Sequence, residues 1–148
     1  MPASTDQQDT GSERIGFIGL GNMGKPMCLR LLAAGYEVKA FDRVVDPLNE
    51  IAIAGGTPAK SATEVALAAD VLLTSLPRPD HVEAVMENAG ALAALRKGSC
   101  WVDLTTNRRD LVERLAAKAP EGVTVVDAPV PGAVDGARNG RLTLFVGG

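Results

Sequence analysis

Apolar residues recur along the chain in two alternating arrangements, and this alternation predicts the secondary structure. Short runs such as IGFIGL and VLLTSL lack strict polar alternation, which is typical of strands buried on both faces of a sheet. Longer segments rich in alanine and leucine lie between these runs and have the composition of helices. Strands that alternate with helices predict βαβ units, and therefore an α/β fold with a mainly parallel sheet.

The element boundaries follow from these runs and from the residues that flank them. The predicted strands are Arg14–Gly19, Glu37–Asp42, Thr57–Ala59, Asp70–Leu76, Ser99–Leu104, Val123–Asp127 and Leu142–Val146. The predicted helices are Asn22–Ala34, Pro47–Ala54, Ala62–Ala68, Pro79–Leu95 and Arg108–Ala119. Residues typical of helix ends stand at matching places, namely Gly35 and Gly55 at C-termini, Ser61 and Asn107 at N-caps, and Pro47 and Pro79 in first turns.

Length and composition limit the classes of protein to consider. The 148 residues amount to one domain, which we place at 14–148 after a polar, disordered tail at 1–13. A formal net charge of -3 provides no basic surface for nucleic acid. No apolar run reaches the ~20 residues that span a membrane, and Cys28 and Cys100 form no zinc or disulfide motif. We therefore expect a cytoplasmic protein that binds neither nucleic acid nor membrane.

The first predicted strand runs into the segment GLGNMG, residues 19–24, which matches the dinucleotide-binding fingerprint. Gly19 permits a tight turn, Gly21 lets the backbone approach a pyrophosphate, and Gly24 lets the next helix pack closely on the strand. The loop is completed by Leu20, Asn22 and Met23. Its backbone N–H groups and the positive end of the helix dipole would bind the diphosphate.

Asp42 stands at the end of the second predicted strand, where the fingerprint has an acidic residue. Its carboxylate would accept hydrogen bonds from the adenosine ribose hydroxyls and repel a 2′-phosphate, which favours NAD. Arg43 can pair with a 2′-phosphate, so NADP is the alternative. These features predict a Rossmann-type doubly wound sheet. The other interpretation is a flavodoxin-like sheet whose glycine turn binds no dinucleotide.

Later strand ends carry further candidate residues, because ligands lie outside the carboxyl ends of parallel strands. Leu76 and Pro77 suit the adenosine side of a cofactor, or simply end the fourth strand. Thr105 and Thr106 offer hydroxyls to the nicotinamide side, or help to cap a helix. His81, the only histidine, lies in a helical first turn without an obvious carboxylate partner, and we expect it to be structural.

A segment rich in proline and glycine, residues 129–141, follows the sixth predicted strand. Backbone N–H groups around Gly132 and Ala133, after Pro131, are placed to face a substrate carboxylate. An ordinary loop is the alternative interpretation.

Five ordered motifs cover nearly all of residues 14–148: GFIGLGNMGKPM, FDR, SLPRPD, VDLTT and DAPVPGAVDGARNGRLTLFVGG. Together they resemble the amino-terminal domain of the β-hydroxyacid dehydrogenase family, the group of 3-hydroxyisobutyrate dehydrogenase and tartronate semialdehyde reductase, related to 6-phosphogluconate dehydrogenase. The resemblance implies an NAD(P)-dependent oxidoreductase that moves hydride between nicotinamide and a small 3-hydroxy acid or semialdehyde. It implies the same cofactor residues as above, and a substrate site at Pro131, Gly132 and Ala133.

The chain departs from that family in two respects. Where members typically have serine-glycine-glycine, this chain has Pro131, Gly132 and Ala133, which removes one hydroxyl and one N–H. The family's catalytic lysine lies beyond residue 148, before an all-helical domain, and none of the five lysines here matches its motif: Lys25, Lys39, Lys60, Lys97 and Lys118. The resemblance thus implies a truncated, catalytically incomplete chain that self-associates through its exposed docking face. The alternatives are a stand-alone dinucleotide-binding module and an imine reductase-like relative.

Overall fold

The computed structural model describes residues 13–129, and every strand pair within them is parallel. The strands are β1 (Arg14–Ile18), β2 (Glu37–Phe41), β3 (Thr57–Pro58), β4 (Val71–Thr74), β5 (Cys100–Asp103) and β6 (Thr124–Asp127). They lie in the order β3-β2-β1-β4-β5-β6. This is the doubly wound order of the Rossmann fold, which confirms the predicted fold class.

Helices connect successive strands. They are α1 (Gly24–Ala33), α2 (Val45–Ile53), α3 (Ala62–Ala68), α4 (Pro79–Glu83), α5 (Ala91–Ala94) and α6 (Arg109–Lys118), with a π-helix at Ala84–Asn88 that continues α4. Ser61 caps α3 as predicted, because its hydroxyl oxygen accepts from the N–H of Glu64 at 3.1 Å. Gly35 and Gly55 adopt positive φ after α1 and α2, also as predicted. None of the described helices combines the length and apolarity needed to cross a membrane.

Two separate apolar cores form where the helices pack on the sheet. One contains Leu72, Met86 and Trp101, contributed by β4, the π-helix and β5. The other contains Phe17 of β1 and Cys28 of α1. Burial raises the pKa of the Cys28 thiol to about 12, so this cysteine is a core residue rather than a nucleophile. Packing on both faces holds the strand ends rigidly along one edge of the sheet.

Two predictions about helices are wrong. The helix predicted at Pro79–Leu95 is interrupted, because Gly90 adopts a φ of 88° and is the N-cap of the separate helix α5. Asn107 does not cap α6, since its Nδ2 donates to Oδ2 of Asp103 at 2.7 Å and its Oδ1 accepts only from the adjacent Arg108 N–H. A buried carboxylate is the stronger partner for the amide. The predicted strand Leu142–Val146 and residues 1–12 of the predicted tail lie outside the described residues.

Candidate functional site

A cleft with a volume of about 940 Å³ lies at the carboxyl ends of the central strands. The strand order reverses at β1, because the chain builds β2 and β3 on one side of it and β4, β5 and β6 on the other. The loops that follow β1 to β5 form the walls of the cleft. It therefore lies where open parallel sheets bind their ligands.

Every residue that the sequence assigns to a cofactor lines this one cleft. These residues are Gly19, Leu20, Gly21, Asn22, Met23, Gly24, Asp42, Arg43, Leu76, Pro77, Thr105 and Thr106. They come from four separate segments, and the parallel pairing of β1, β2, β4 and β5 brings their carboxyl ends to the same edge. The substrate residues Pro131, Gly132 and Ala133 lie outside the described part of the chain.

The three glycines of the turn differ in what a side chain would meet there. Gly19 has a φ of 102°, and a Cβ on it would lie 2.1 Å from the carbonyl oxygen of Ser75. A Cβ on Gly24 would lie 1.9 Å from the carbonyl oxygen of Gly19. A Cβ on Gly21 would meet no atom within 4 Å. Gly19 and Gly24 are therefore needed for the turn itself, whereas Gly21 leaves free space for a ligand against its backbone.

The amino terminus of α1 opens into the cleft without a side-chain cap. Met23 occupies the capping position, offers no hydrogen bond, and is followed by a first turn without an acidic residue. Backbone N–H groups and the positive end of the helix dipole are therefore available to an anion. This arrangement suits a diphosphate.

Asp42 lies in the wall of the cleft and is held there by two backbone N–H groups. Its Oδ2 accepts from Leu20 at 2.6 Å, and its Oδ1 accepts from Val44 at 2.8 Å. Each oxygen retains a lone pair that can accept from a ribose hydroxyl. Arg43 lines the same cleft, and within residues 13–129 its side chain forms no ion pair.

Thr105 joins the loops that follow β4 and β5. Its Oγ1 accepts from the N–H of Leu76 at 3.0 Å, and its own N–H donates to Oδ1 of Asp103 at 3.1 Å. Thr105 is buried, whereas Thr106 is exposed to the cleft. Thr105 therefore sets the geometry of the loop, and Thr106 presents the hydroxyl that a ligand can reach.

A buried hydrogen-bond network beneath these loops centres on the carboxylate of Asp103. Thr74 Oγ1 donates to its Oδ1 at 2.9 Å, and Asn107 Nδ2 donates to its Oδ2 at 2.7 Å. The indole N–H of Trp101 donates to Thr74 Oγ1 at 2.9 Å. Burial raises the pKa of Asp103, and the hydrogen bonds from Asn107, Thr105 and Thr74 oppose that increase. The network locks the ends of β4 and β5 together below the cleft.

Asp127 is the register partner of Asp103 on the neighbouring strand β6. Burial raises the pKa of Asp127, and the nearby charge of Asp103 raises it further. Its Oδ1 is buried and has no hydrogen-bond partner among residues 13–129. Two carboxyl groups thus lie side by side at the end of the sheet that carries the cleft.

The cleft wall also contains residues that the sequence did not assign to the cofactor, among them Lys60, Ser61, His81, Ala84 and Val85. Lys60 and Ser61 follow β3, and the strand-end rule used for the other strands would have found them. The side chains from α4 and the π-helix depend on an irregular turn that has no sequence signature. His81 has its Nδ1 buried without a partner among the described residues. No group of metal-ligating side chains occurs within residues 13–129.

The strand order and the glycine turn at its reversal point together occur in dinucleotide-binding domains, and the chain is of that class. The particular family is shown by comparison with family models. Residues 14–148 match the NAD binding domain of 6-phosphogluconate dehydrogenase. The chain belongs to this family, which confirms the resemblance drawn from its motifs. It is an NAD-binding domain, with NADP as the alternative cofactor.

Among the similar proteins are several dehydrogenases. The chain is 38% identical to an NAD-dependent L-serine dehydrogenase of Pseudomonas aeruginosa over 92% of its own length and 46% of that relative. It is 40% identical to mitochondrial 3-hydroxyisobutyrate dehydrogenase of Mus musculus over 90% of its length and 41% of the relative. A solved structure of Mycobacterium tuberculosis 3-hydroxyisobutyrate dehydrogenase with L-serine has a TM-score of 0.85 and 36% identity, over 92% of this chain and 46% of that one. The chain therefore spans less than half the length of these relatives.

Proposed function

We propose that the chain is the cofactor-binding half of an NAD(P)-dependent dehydrogenase that acts on a small 3-hydroxy acid or the corresponding semialdehyde. The main evidence for this proposal is that all the predicted cofactor residues line one cleft. The substrate class is supported by relatives named for 3-hydroxyisobutyrate and for L-serine. Both compounds carry a hydroxyl on the carbon β to a carboxylate, so one geometry of binding serves both.

The described residues fit a dinucleotide. Gly21 leaves open space beside its backbone, and α1 presents an uncapped amino terminus to the same space. Together they would hold the diphosphate. Asp42 would accept from the adenosine ribose hydroxyls with the lone pairs that Leu20 and Val44 leave free.

The remaining wall residues would orient the two ends of the cofactor. Leu76 and Pro77 offer an apolar edge to the adenosine side, and Thr106 offers a hydroxyl to the nicotinamide side. A bound nicotinamide supplies the hydride chemistry, while the protein contributes position and charge. Pro131, Gly132 and Ala133 would hold the substrate carboxylate, following the family resemblance.

We further propose that this chain binds the dinucleotide without turning over substrate. Among the described residues, Lys60 is the only lysine that lines the cleft, and it follows β3. Thr106 follows β5, and three strands separate β3 from β5 in the sheet. Lys60 is therefore on the wrong side of the cleft to exchange a proton with a substrate at the nicotinamide end.

Cofactor titration and an activity assay on the same preparation test both parts. We expect NADH fluorescence to report saturable binding, and no reduction of NAD or NADP with 3-hydroxyisobutyrate or L-serine. Absence of NADH binding by a folded chain would refute the cofactor site. Robust turnover by the 148-residue chain would refute the claim of incompleteness.

A stand-alone dinucleotide-binding module is the second candidate. It is favoured by the fact that all the residues predicted to bind the cofactor line one cleft within residues 13–129. DNA that continues in frame beyond codon 148 would favour the dehydrogenase, whereas a stop codon would favour the module.

We also propose that the chain self-associates. Ile53 has 87% of its surface exposed, and Val45 has 64% exposed, so apolar side chains are available to a second copy. A clean monomer by light scattering at high concentration would contradict this proposal. A reducing, cytoplasmic location is proposed as well, because Cys28 and Cys100 are both free thiols.

A further inference from the structure

We propose that Lys60 is a specificity-determining residue which, together with Arg43, binds the 2′-phosphate of NADP, so that this chain accepts NADP as well as NAD. The inference rests on the proposed function, since it concerns the adenosine end of the same cleft. It assigns a role to a lysine that the fingerprint of the fold does not include.

The sheet places Lys60 beside the acidic residue of the fingerprint. β2 and β3 pair in parallel with Lys39 opposite Thr57 and Ala40 opposite Pro58. Just beyond this pairing the N–H of Ala59 donates to the carbonyl oxygen of Ala40 at 2.8 Å, so Lys60 leaves β3 at the same end of the sheet at which Asp42 leaves β2. Adjacent strands are about 4.8 Å apart, and both residues line the cleft. The side chain of Lys60 therefore starts close to the position where the adenosine ribose would be bound.

The backbone of Lys60 is fixed by a hydrogen bond to Glu64, and the charge of Lys60 also contributes to lowering the pKa of that carboxyl. Its N–H donates to Oε1 of Glu64 at 3.0 Å, and the N–H of Glu64 donates to Oγ of Ser61 at 3.1 Å. The other carboxylate oxygen of Glu64 pairs with Lys39 Nζ at 3.6 Å. Within residues 13–129 the ammonium group of Lys60 forms no ion pair, so it is available to an anion in the cleft.

The charges at this end of the cleft favour an additional phosphate. Asp42 contributes one negative charge, and Arg43 and Lys60 contribute two positive charges, neither of them paired within the described segment. A phosphate monoester carries about -1.5 to -2 charges at neutral pH. The attraction of two cations therefore outweighs the repulsion from Asp42. The hydroxyl oxygen of Ser61 accepts from the Glu64 N–H, so its own O–H can donate to the phosphate. With NAD, Asp42 can still accept from the free 2′-hydroxyl.

Paired titrations of the 148-residue chain with NADH and NADPH test the assignment. In the unsubstituted chain we expect both to bind, with dissociation constants within about tenfold of each other. Lys60→Ala and Arg43→Ala should each weaken NADPH binding about tenfold, because each removes a charge-assisted contact to phosphate. For Lys60→Ala, NADH binding should change by about twofold or less. Added salt should weaken NADPH binding more steeply than NADH binding.

Arg109→Ala is the matched control, since it removes one positive charge from a side chain that is 91% exposed and does not line the cleft. It should leave the NADPH-to-NADH ratio unchanged. The inference is overturned if NADH binds and NADPH does not, or if Lys60→Ala weakens both cofactors equally. If neither cofactor binds to a chain that circular dichroism shows to be folded, the proposed function fails, and this inference fails with it.

Discussion

The backbone N–H of Leu20 donates a hydrogen bond of 2.6 Å to Oδ2 of Asp42, and this contact ties the glycine-rich turn to the end of β2. The carboxylate expected to bind the ribose thus also holds the loop expected to bind the diphosphate. Ribose and diphosphate binding are coupled through one side chain, and a substitution at Asp42 acts on both.

Asp42→Ala should weaken NADH binding by about tenfold or more, because it removes the ribose acceptor and leaves the Leu20 N–H without its partner. NADPH binding should weaken less, since the same change removes a negative charge next to the 2′-phosphate. Fluorescence titration with both cofactors gives the comparison. Equal losses for the two cofactors would show that the effect comes only from loosening of the turn.

Gly21→Ala and Gly24→Ala should affect different properties. A methyl group on Gly21 enters open space, so the free energy of unfolding should stay within about 1 kcal/mol of the original while NADH affinity drops about tenfold. A methyl group on Gly24 would lie 1.9 Å from a backbone oxygen, so the free energy of unfolding should fall by about 3 kcal/mol. Urea titration measures the free energy of unfolding, and NADH fluorescence measures the affinity for the cofactor.

Gly35→Ala is a useful control for this pair, because Gly35 also has open space around it but does not line the cleft. Because Gly35 has a φ of 97°, we expect the substitution to lower stability somewhat. It should have no specific effect on cofactor affinity. If Gly21→Ala binds NADH as tightly as the original chain, the diphosphate does not lie against this residue.

Thr74→Val should destabilise the fold by about 1–3 kcal/mol, because it leaves the buried indole N–H of Trp101 without an acceptor and takes a donor from Asp103. Trp101 is the only tryptophan and is fully buried, so its fluorescence reports unfolding in urea directly. Thr124→Val, at an exposed position of β6, is the control and should change stability little. Equal midpoints for the two variants would mean that the network contributes nothing.

Asp127→Asn should stabilise the chain at pH 8. The difference in stability between the two proteins should shrink as the pH falls toward 3.8, the ordinary pKa of an aspartate carboxyl. Burial and the charge of Asp103 raise the folded-state pKa of Asp127. The folded chain therefore holds that proton more tightly than the unfolded chain, and ionisation at higher pH lowers stability. Urea unfolding of both proteins at several pH values gives the difference. A stability difference independent of pH would contradict this account.

The sequence was sufficient to predict those parts of the site in which the local backbone geometry requires a particular residue type. The turn after β1 is an example: a side chain at Gly19 or Gly24 would meet the backbone, whereas the space at Gly21 is open. Asp42 could be found from its spacing to that turn. The strand order could be predicted as a class, because alternating strands and helices leave few topologies.

Other parts of the site depend on neighbours that are distant in sequence. The contact of Thr105 with Leu76, and that of Asp103 with Thr74, exist only because β4 and β5 are adjacent. Asn107 has the residue type of a helix cap, but the buried carboxylate of Asp103 takes its amide instead. The prediction that Asn107 forms a side-chain hydrogen bond was correct, but its partner is Asp103 and not the backbone of α6.

Strand β1 lies in the middle of the sheet, and this has a consequence for synthesis on the ribosome. Ile15 pairs with Val38 on one side and with Val71 on the other. The amino-terminal strand can pair early with β2, but its other edge has no partner until β4 leaves the ribosome. At about 5–20 residues per second this wait is on the order of seconds. During that interval an apolar strand edge is open to pairing with other nascent chains, so we expect β1 to be exposed to aggregation during translation.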